Sequence, residues 1–329
     1  MTMTHSRSHR LQRLQALTAI STEGVNALTP SVDQGTVGHT LHQLYKAQQA
    51  GYTAVKAVLP ALETFLPLLV DRFAQGGRLI YLGAGTSGRL GVLDASEIPP
   101  TFGLAPHRVV GLIAGGPPAL TSAVEGAEDN GPQGVADLQA LPITPMDTVV
   151  GLSASGNAPY VVQGLTWAHQ QGALTAGLTS NPNAALLNVV AHAFITPTGA
   201  EPITGSTRMN AGTAQKLVCN LITTGLLIRL GYTYGNTMVA LTPSNHKLEQ
   251  RAIQMVSALA NVSFEQARET LCQTASCPSQ WNVRAATLMA YQQISFAQAC
   301  HQLESTQGRL TPWLDSSAED FLAPNNPHL

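Results

Sequence analysis

Hydroxyl residues sit beside glycines at three places in this chain. "GAGTSG" (83–88) carries Thr86 and Ser87, "SASG" (153–156) carries Ser153 and Ser155, and "TGSTR" (204–208) carries Ser206 and Thr207. A strand that enters a glycine turn and opens a helix leaves backbone N–H groups pointing outward, and the helix dipole adds partial positive charge. The first stretch therefore suits an anion. Two nucleotide patterns overlap in it. Gly83-x-Gly85-x-x-Gly88 reads as a dinucleotide turn, which needs an acid at the end of the next strand for the ribose. That strand ends "LIAGG", with no acid. Gly83-x-x-x-x-Gly88 reads as a P-loop, which needs Lys followed by Ser or Thr. Arg89 and Leu90 stand there instead. Neutral hydroxyls and amides remain, suited to the terminal oxygens of a phosphate monoester, with no metal and no cofactor. A single loop serine is ordinarily a turn or cap. Two hydroxyl loops ending neighbouring strands point to a site.

The elements that must position these loops are legible. "RLIYLGAG" (78–85), "RVVGLIAGG" (108–116), "DTVVGLSASG" (147–156), "LTAGLTSN" (174–181) and "AHAFITPTG" (191–199) are short apolar runs ending in glycine or small polar residues. They alternate with helical stretches, the pattern of a parallel sheet covered on both faces. Ligands bind beyond the carboxyl ends of such strands, where the hydroxyls collect. Residues 39–73 read as helical, broken near Pro60 and Pro67, and 212–231 as a long, mostly buried helix. "VSFEQARETL" (262–271) and "ISFAQACHQL" (294–303) repeat each other, each opening on a capping box, Ser263/Gln266 and Ser295/Gln298. The expected division is an irregular segment over 1–37, the sheet domain with its preceding helices over 38–243, and a helical packing module over 244–329.

Composition narrows the function. Of 329 residues, 44% are hydrophobic and only 11% charged, with a net charge of −2. That argues against nucleic acid or an anionic membrane as partner. Aromatics are sparse, which disfavours a base-stacking surface. Cys219, Cys272, Cys277 and Cys300 lack metal or redox spacing and read as buried free thiols. The basic start "MTMTHSRSHRLQRLQ" has no apolar run behind it, and no stretch has the ~18 uninterrupted apolar residues of a membrane span. The expectation is a cytoplasmic protein.

The paired hydroxyl loops resemble the sugar isomerase (SIS) domain, a flavodoxin-like three-layer αβα sandwich that binds phosphosugars. A closer resemblance rests on "YLGAGTSGRLGVLDASEIPPTFG", "GLIAGG", "VEGAEDN", "GLSASGNAPYV" and "TGSTRMNAGTAQKLVCN", which occur in this order. Together they resemble the N-acetylmuramic acid 6-phosphate etherase family, from about Thr22 to the C-terminal helices. The resemblance implies cleavage of a D-lactyl ether at C3 of the sugar, giving N-acetylglucosamine 6-phosphate and D-lactate in cell-wall amino sugar recycling. It makes Glu97 the proton donor and Glu128 the second essential acid. Phosphosugar binding falls to Gly85, Thr86, Ser87, Ser153, Ser155, Gly156, Ser206 and Thr207. Asn245 and Lys247, in "SNHKLEQR", are further candidates for the sugar or its phosphate. Arg208 reads either as a phosphate ligand or as an ion-pair partner.

The chemistry explains the acids. If the sugar opens to its aldehyde, the C2 hydrogen is α to a carbonyl. A base removes it, lactate departs from C3, and water adds to the double bond. A proton-shuttling carboxyl works best with a pKa above the ordinary ~4.3 of Glu. Helix C-termini favour that, because their partial negative charge disfavours the ionised form. Glu97, just before Pro99-Pro100, and Glu128, just before Asn130-Gly131, are expected at such ends. Glu125, one turn before Glu128, is expected to share its face. One continuous helix from Gly88 to Glu97 rises roughly 14 Å, at ~1.5 Å per residue. That exceeds the span from phosphate to C3 in one sugar. Either the helix breaks near Gly91, or Glu97 serves a site completed by a second copy, in a homodimer.

The family often carries Arg and Thr where this chain has Asn157 and Ala158, and Arg and Pro within the stretch matching "TEGVNAL" (22–28). Three other readings compete. One is a non-catalytic phosphosugar sensor like glucokinase regulatory protein. The others are an aldose–ketose phosphosugar isomerase and an NAD-dependent oxidoreductase.

Overall fold

The computed structural model describes residues 21–315; the basic start and the last fourteen residues of the expected helical module lie outside them. Two helices come first, α1 (Val37–Thr53) and α2 (Leu59–Ala74). A five-stranded sheet follows, built from β1 (Leu79–Gly83), β2 (Val109–Ile113), β3 (Thr148–Leu152), β4 (Leu174–Thr179) and β5 (His192–Ile195). The interleaved helices are α3 (Gly85–Phe102), α4 (Gly131–Gln139), α5 (Pro159–Gln170) and α6 (Asn210–Arg229). All five expected runs are strands. Their order is β2-β1-β3-β4-β5, parallel throughout.

Every residue of β1, β3 and β4 is buried, because helices cover both faces. Glycines set how close those helices come. A Cβ on Gly91 of α3 would stand 2.8 Å from the Tyr81 side chain, and one on Gly164 of α5 would stand 2.5 Å from Leu82. Tyr81 and Leu82 are consecutive in β1, so α3 and α5 lie on opposite faces. This is the three-layer sandwich. Each fully buried Leu or Ile of these strands contributes roughly 1.5–3 kcal/mol. At the opposite end of the strands, Asp147 accepts from Arg78 Nε at 3.0 Å and Nη2 at 2.8 Å, and from the Thr144 amide at 2.8 Å.

Several expectations need correction. The break between α1 and α2 falls at a 3-10 stretch, Ala54–Val58; Pro60 stands in the first turn of α2, where its missing N–H costs nothing, and Pro67 lies inside that helix. The run Val37–Ala74 is long and apolar enough to cross a membrane by length and composition, although no such span was expected; a third of its most apolar window, 33%, is buried. Its apolarity in α2 has a packing cause, since Leu62, Phe65, Leu69 and Phe73 recur at helical spacing and are buried. Only Cys219 is a buried thiol; Cys272 and Cys277 are exposed and Cys300 is half-buried.

The described residues of Met1–Ser96 and Pro106–Thr223 form one compact unit, and those of Glu97–Ala105 and Thr224–Leu329 a second. The second contains a two-stranded hairpin, β6 (Thr233–Tyr234) with β7 (Thr237–Met238), then α7 (His246–Ala260), α8 (Phe264–Thr274), α9 (Val283–Gln292) and α10 (Phe296–Ser305). Both expected capping boxes are present, at Ser263/Gln266 and Ser295/Gln298.

Candidate active site

The sheet order reverses between β1 and β3. The chain moves from β1 outward to β2 on one side, then returns to place β3 on the other. The loops leaving these two strands diverge at that point, and the crevice between them is where open α/β sheets bind ligands. "GAGTSG" follows β1 and "SASG" follows β3. The topology thus brings together the two hydroxyl loops that the sequence singles out.

The first loop turns tightly. A Cβ on Gly83 would stand 2.7 Å from the Gly88 nitrogen, and Gly85 adopts a left-handed φ of +53°. α3 starts at Gly85, so the amides of Gly85, Thr86 and Ser87 have no carbonyl one turn earlier in the helix. Open amides at a helix start are suited to an anion. Ser87 is buried and Thr86 half-buried.

The second loop is locked from below. Three of its carbonyls are engaged: Ala154 O accepts from Ser180 N and Thr179 Oγ1, Ser155 O from Asn181 Nδ2, and Gly156 O from Leu186 N, each at 3.0 Å. A Cβ on Gly156 would lie 2.2 Å from the Ala184 Cβ, and its φ is +70°. Ser153 Oγ accepts from the Gly156 amide at 3.0 Å, and Ser155 Oγ from the Asn157 amide at 3.3 Å. Each hydroxyl, having accepted from the loop, keeps its own proton to donate. Asn157 has a role of its own, because its Oδ1 accepts from the Ala185 amide at 2.9 Å. Ala158 is buried.

Ser206 and Thr207 precede α6. The Thr86 methyl lies 3.6 Å from where a Cβ on Gly212 would stand, so the start of α3 meets the first turn of α6. Sequence reasoning missed how that turn is held. Glu201, fully buried, accepts from the amides of Asn210 at 2.7 Å and Ala211 at 2.9 Å. Burial raises its carboxyl above the ordinary value and the two amides pull it back down; the net direction is up. A signal was available: Glu201 is the only acid between Asp147 and Glu249. The segment after Ser21 straps onto the same region. Thr29 Oγ1 donates to Pro202 O at 2.7 Å, Asn26 Nδ2 to Ala200 O at 2.7 Å, and Gly205 N to Thr22 O at 3.2 Å.

The acids stand differently from expectation. α3 runs unbroken from Gly85 through Pro99 and Pro100 to Phe102. Glu97 is therefore exposed within the helix rather than at its end, and no break occurs near Gly91. Glu128 lies in a 3-10 turn, Ala127–Asp129, directly before α4, and not at the end of a helix opened by Pro117-Pro118. Glu125 and Glu128 share no helical face, because Gly126 between them is left-handed at φ +71°. Both are exposed. Glu125 lines a cleft of about 510 Å³ with Gly115, Gly116, Gly126 and Asn130. Of the two further candidates, Asn245 caps α7 by accepting from the Leu248 amide at 3.0 Å, and Lys247 is exposed on its first turn. Arg208 is exposed.

Residues 62–169 match the model of the glucokinase regulatory protein N-terminal SIS domain. An N-acetylmuramic acid 6-phosphate etherase of Escherichia coli O127:H6 is 42% identical over 294 residues, covering 89% of this chain and 97% of that protein. The chain belongs to the N-acetylmuramic acid 6-phosphate etherase family. A second family member, from Escherichia coli strain SMS-3-5, is 46% identical over 250 residues, covering 76% of this chain and 84% of its own. Among solved structures, a phosphoheptose isomerase from Francisella tularensis is similar at a TM-score of 0.42 and 18% identity, over 58% of this chain and 98% of that one.

Proposed function

We propose that this protein is an N-acetylmuramic acid 6-phosphate etherase, a carbon–oxygen lyase that releases D-lactate and N-acetylglucosamine 6-phosphate. The observation that carries this is the pair of hydroxyl loops at the β1/β3 reversal. They offer the helix-start amides of Gly85, Thr86 and Ser87 and the donor hydroxyls of Ser153 and Ser155. That set fits a dianionic phosphate ester without a metal. Gly156 shapes the second loop, and Ser206 and Thr207 close the third side. Asn245 and Lys247 join the binding set on the family resemblance of their stretch alone.

With the sugar open, the C2–H bond breaks to Glu128 and its electrons form the C2=C3 bond. The C3–O bond breaks, and Glu97 protonates the departing lactate oxygen. Water then adds its hydroxyl to C3 while its other proton passes to the ionised Glu97, and Glu128 returns its proton to C2, which restores both acids.

Glu97 reaches this site from a second copy of the chain. The unbroken α3 leaves the shared site as the alternative to a broken helix. An uncovered apolar face supports a homodimer: Val37, Leu41, Tyr45 and Tyr52 fall on one side of α1 and are 60–78% exposed. A cytoplasmic location accompanies this reading.

The test is incubation with N-acetylmuramic acid 6-phosphate and assay of free D-lactate. Release by the wild type, lost in Glu97→Gln and Glu128→Gln, supports the proposal. A ketose product would instead identify an isomerase. The match to the glucokinase regulatory protein domain favours one second reading, a phosphosugar sensor. Tight N-acetylglucosamine 6-phosphate binding without lactate release would select it.

A further inference from the structure

Arg89 stands where a P-loop carries its lysine, but its guanidinium holds protein rather than phosphate. Nε donates to the Leu120 carbonyl at 3.1 Å and Nη2 to the Ser122 carbonyl at 3.4 Å. Both carbonyls belong to a segment, 117–126, bounded by left-handed glycines. Gly115 and Gly116 have φ of +85° and +66°, and Gly126 has +71°. The segment folds back on its own hinge, for a Cβ on Gly115 would stand 2.9 Å from the Val124 Cβ. Within 117–126 only Ala119 is buried. So little apolar contact anchors it, and segments of this kind open at low free energy. At its end Glu125 lines the cleft, and Glu128 follows two residues after the Gly126 hinge.

We propose that Arg89 is a positioning residue that latches the 117–126 segment to the start of α3 and so fixes where Glu125 and Glu128 stand. This rests on the reading that Glu128 is one of the two acids. The guanidinium suits the task, since its planar fork reaches two carbonyls at once, whereas an ammonium is a point donor on a flexible stem. Phosphate and acid are thereby set from one helix turn. Ser87 supplies an amide to the anion, and Arg89, two residues on, holds the segment that leads to the acid.

The experiment compares wild type, Arg89→Ala and Arg89→Lys. It measures amide hydrogen exchange, N-acetylglucosamine 6-phosphate affinity, and D-lactate release resolved into kcat and KM. In Arg89→Ala, exchange quickens in 117–126 but not in β1 or β3. kcat falls about tenfold to a hundredfold, the size of an acid displaced by about an ångström, while product affinity is kept. Added guanidinium ion restores part of kcat, and Arg89→Lys lies between. Unchanged exchange in 117–126 overturns the latch. So does a loss of product affinity with kcat intact, which would make Arg89 a phosphate ligand. A wild type that releases no lactate defeats the etherase reading alone, and the exchange data still decide the latch.

Discussion

The Tyr81 hydroxyl donates to the Asp94 carboxylate at 3.0 Å, with both residues buried. Tyr81 is in the middle of β1 and Asp94 in the middle of α3. The bond fixes the helix that begins at the glycine loop after β1 and carries Glu97 one turn beyond Asp94. Burial raises the Asp94 carboxyl above its ordinary value, against the pull of donors on Thr223 and Tyr81 and the charge of Lys216. Burial and the Asp94 charge hold the Tyr81 phenol neutral, well above its usual range.

Tyr81→Phe removes one donor from a buried carboxyl and is expected to cost about 1–3 kcal/mol. The pH dependence has a definite sign. A carboxyl raised on folding supports stability below its unfolded value, and that support is lost as pH rises through the folded value. Losing the Tyr81 donor moves the folded value higher. Urea unfolding from pH 4 to 8 should therefore show the decline of stability shifted upward in the variant. An unchanged pH profile would contradict the assignment.

Glu201→Gln tests the seat of α6. The two carboxylate oxygens accept from two separate amides. A glutamine turns an NH2 toward one of them, leaving donor against donor in a buried place. Stability should fall by about 1–3 kcal/mol, read as a lower Tm. Phosphosugar affinity should fall with it, because Thr86 packs against this turn. A glutamine variant as stable as the wild type would refute the role.

Asp147 behaves in the opposite sense to Asp94. Burial raises its carboxyl, but donation from Arg78 and from the amides of Thr144 and Arg78, with the Arg78 charge, outweighs that and holds it below the ordinary range. Its stabilisation is complete above the unfolded value of about 3.9 and is lost as pH falls through the lower folded value. Asp147→Ala removes the carboxylate from a half-buried guanidinium and from the Thr144 and Arg78 amides and should cost about 1–3 kcal/mol near neutrality. Acid titration should show the gap between variant and wild type closing below pH 4. A gap constant from pH 7 to pH 2 would rule this out.

The shared site is open to complementation. Glu97→Gln and Glu128→Gln are expected to be nearly inactive alone. If Glu97 serves the partner's phosphate loop, mixed dimers contain one site with both residues intact. Unfolding and refolding the two variants together should restore about a quarter of wild-type activity per chain, by random pairing of symmetric dimers. No recovery would mean that Glu97 serves its own chain.

The sequence made the strands plain, because uninterrupted apolar runs such as Leu79–Leu82 have no other place than a sheet covered on both faces. It also marked the loops, since Gly83 and Gly156 each leave no room for a Cβ. Pro99-Pro100 misled. Two prolines usually stop a helix, but here the lost hydrogen bonds fall in its last turn, and left-handed Gly103 closes the end by donating to the Pro99 carbonyl at 2.9 Å. Gly126 was the overlooked warning against a helix reaching Glu128. The Arg89 contacts to Leu120 and Ser122 join residues 31 and 33 positions apart, and no local pattern encodes them.

The most direct test is a crystal structure with N-acetylglucosamine 6-phosphate. The phosphoryl oxygens should lie within hydrogen-bond distance of the amides at the start of α3 and of the Ser153 or Ser155 hydroxyl, with the ring turned toward Glu128 and a partner's glutamate. A phosphate seated away from both loops would contradict the account.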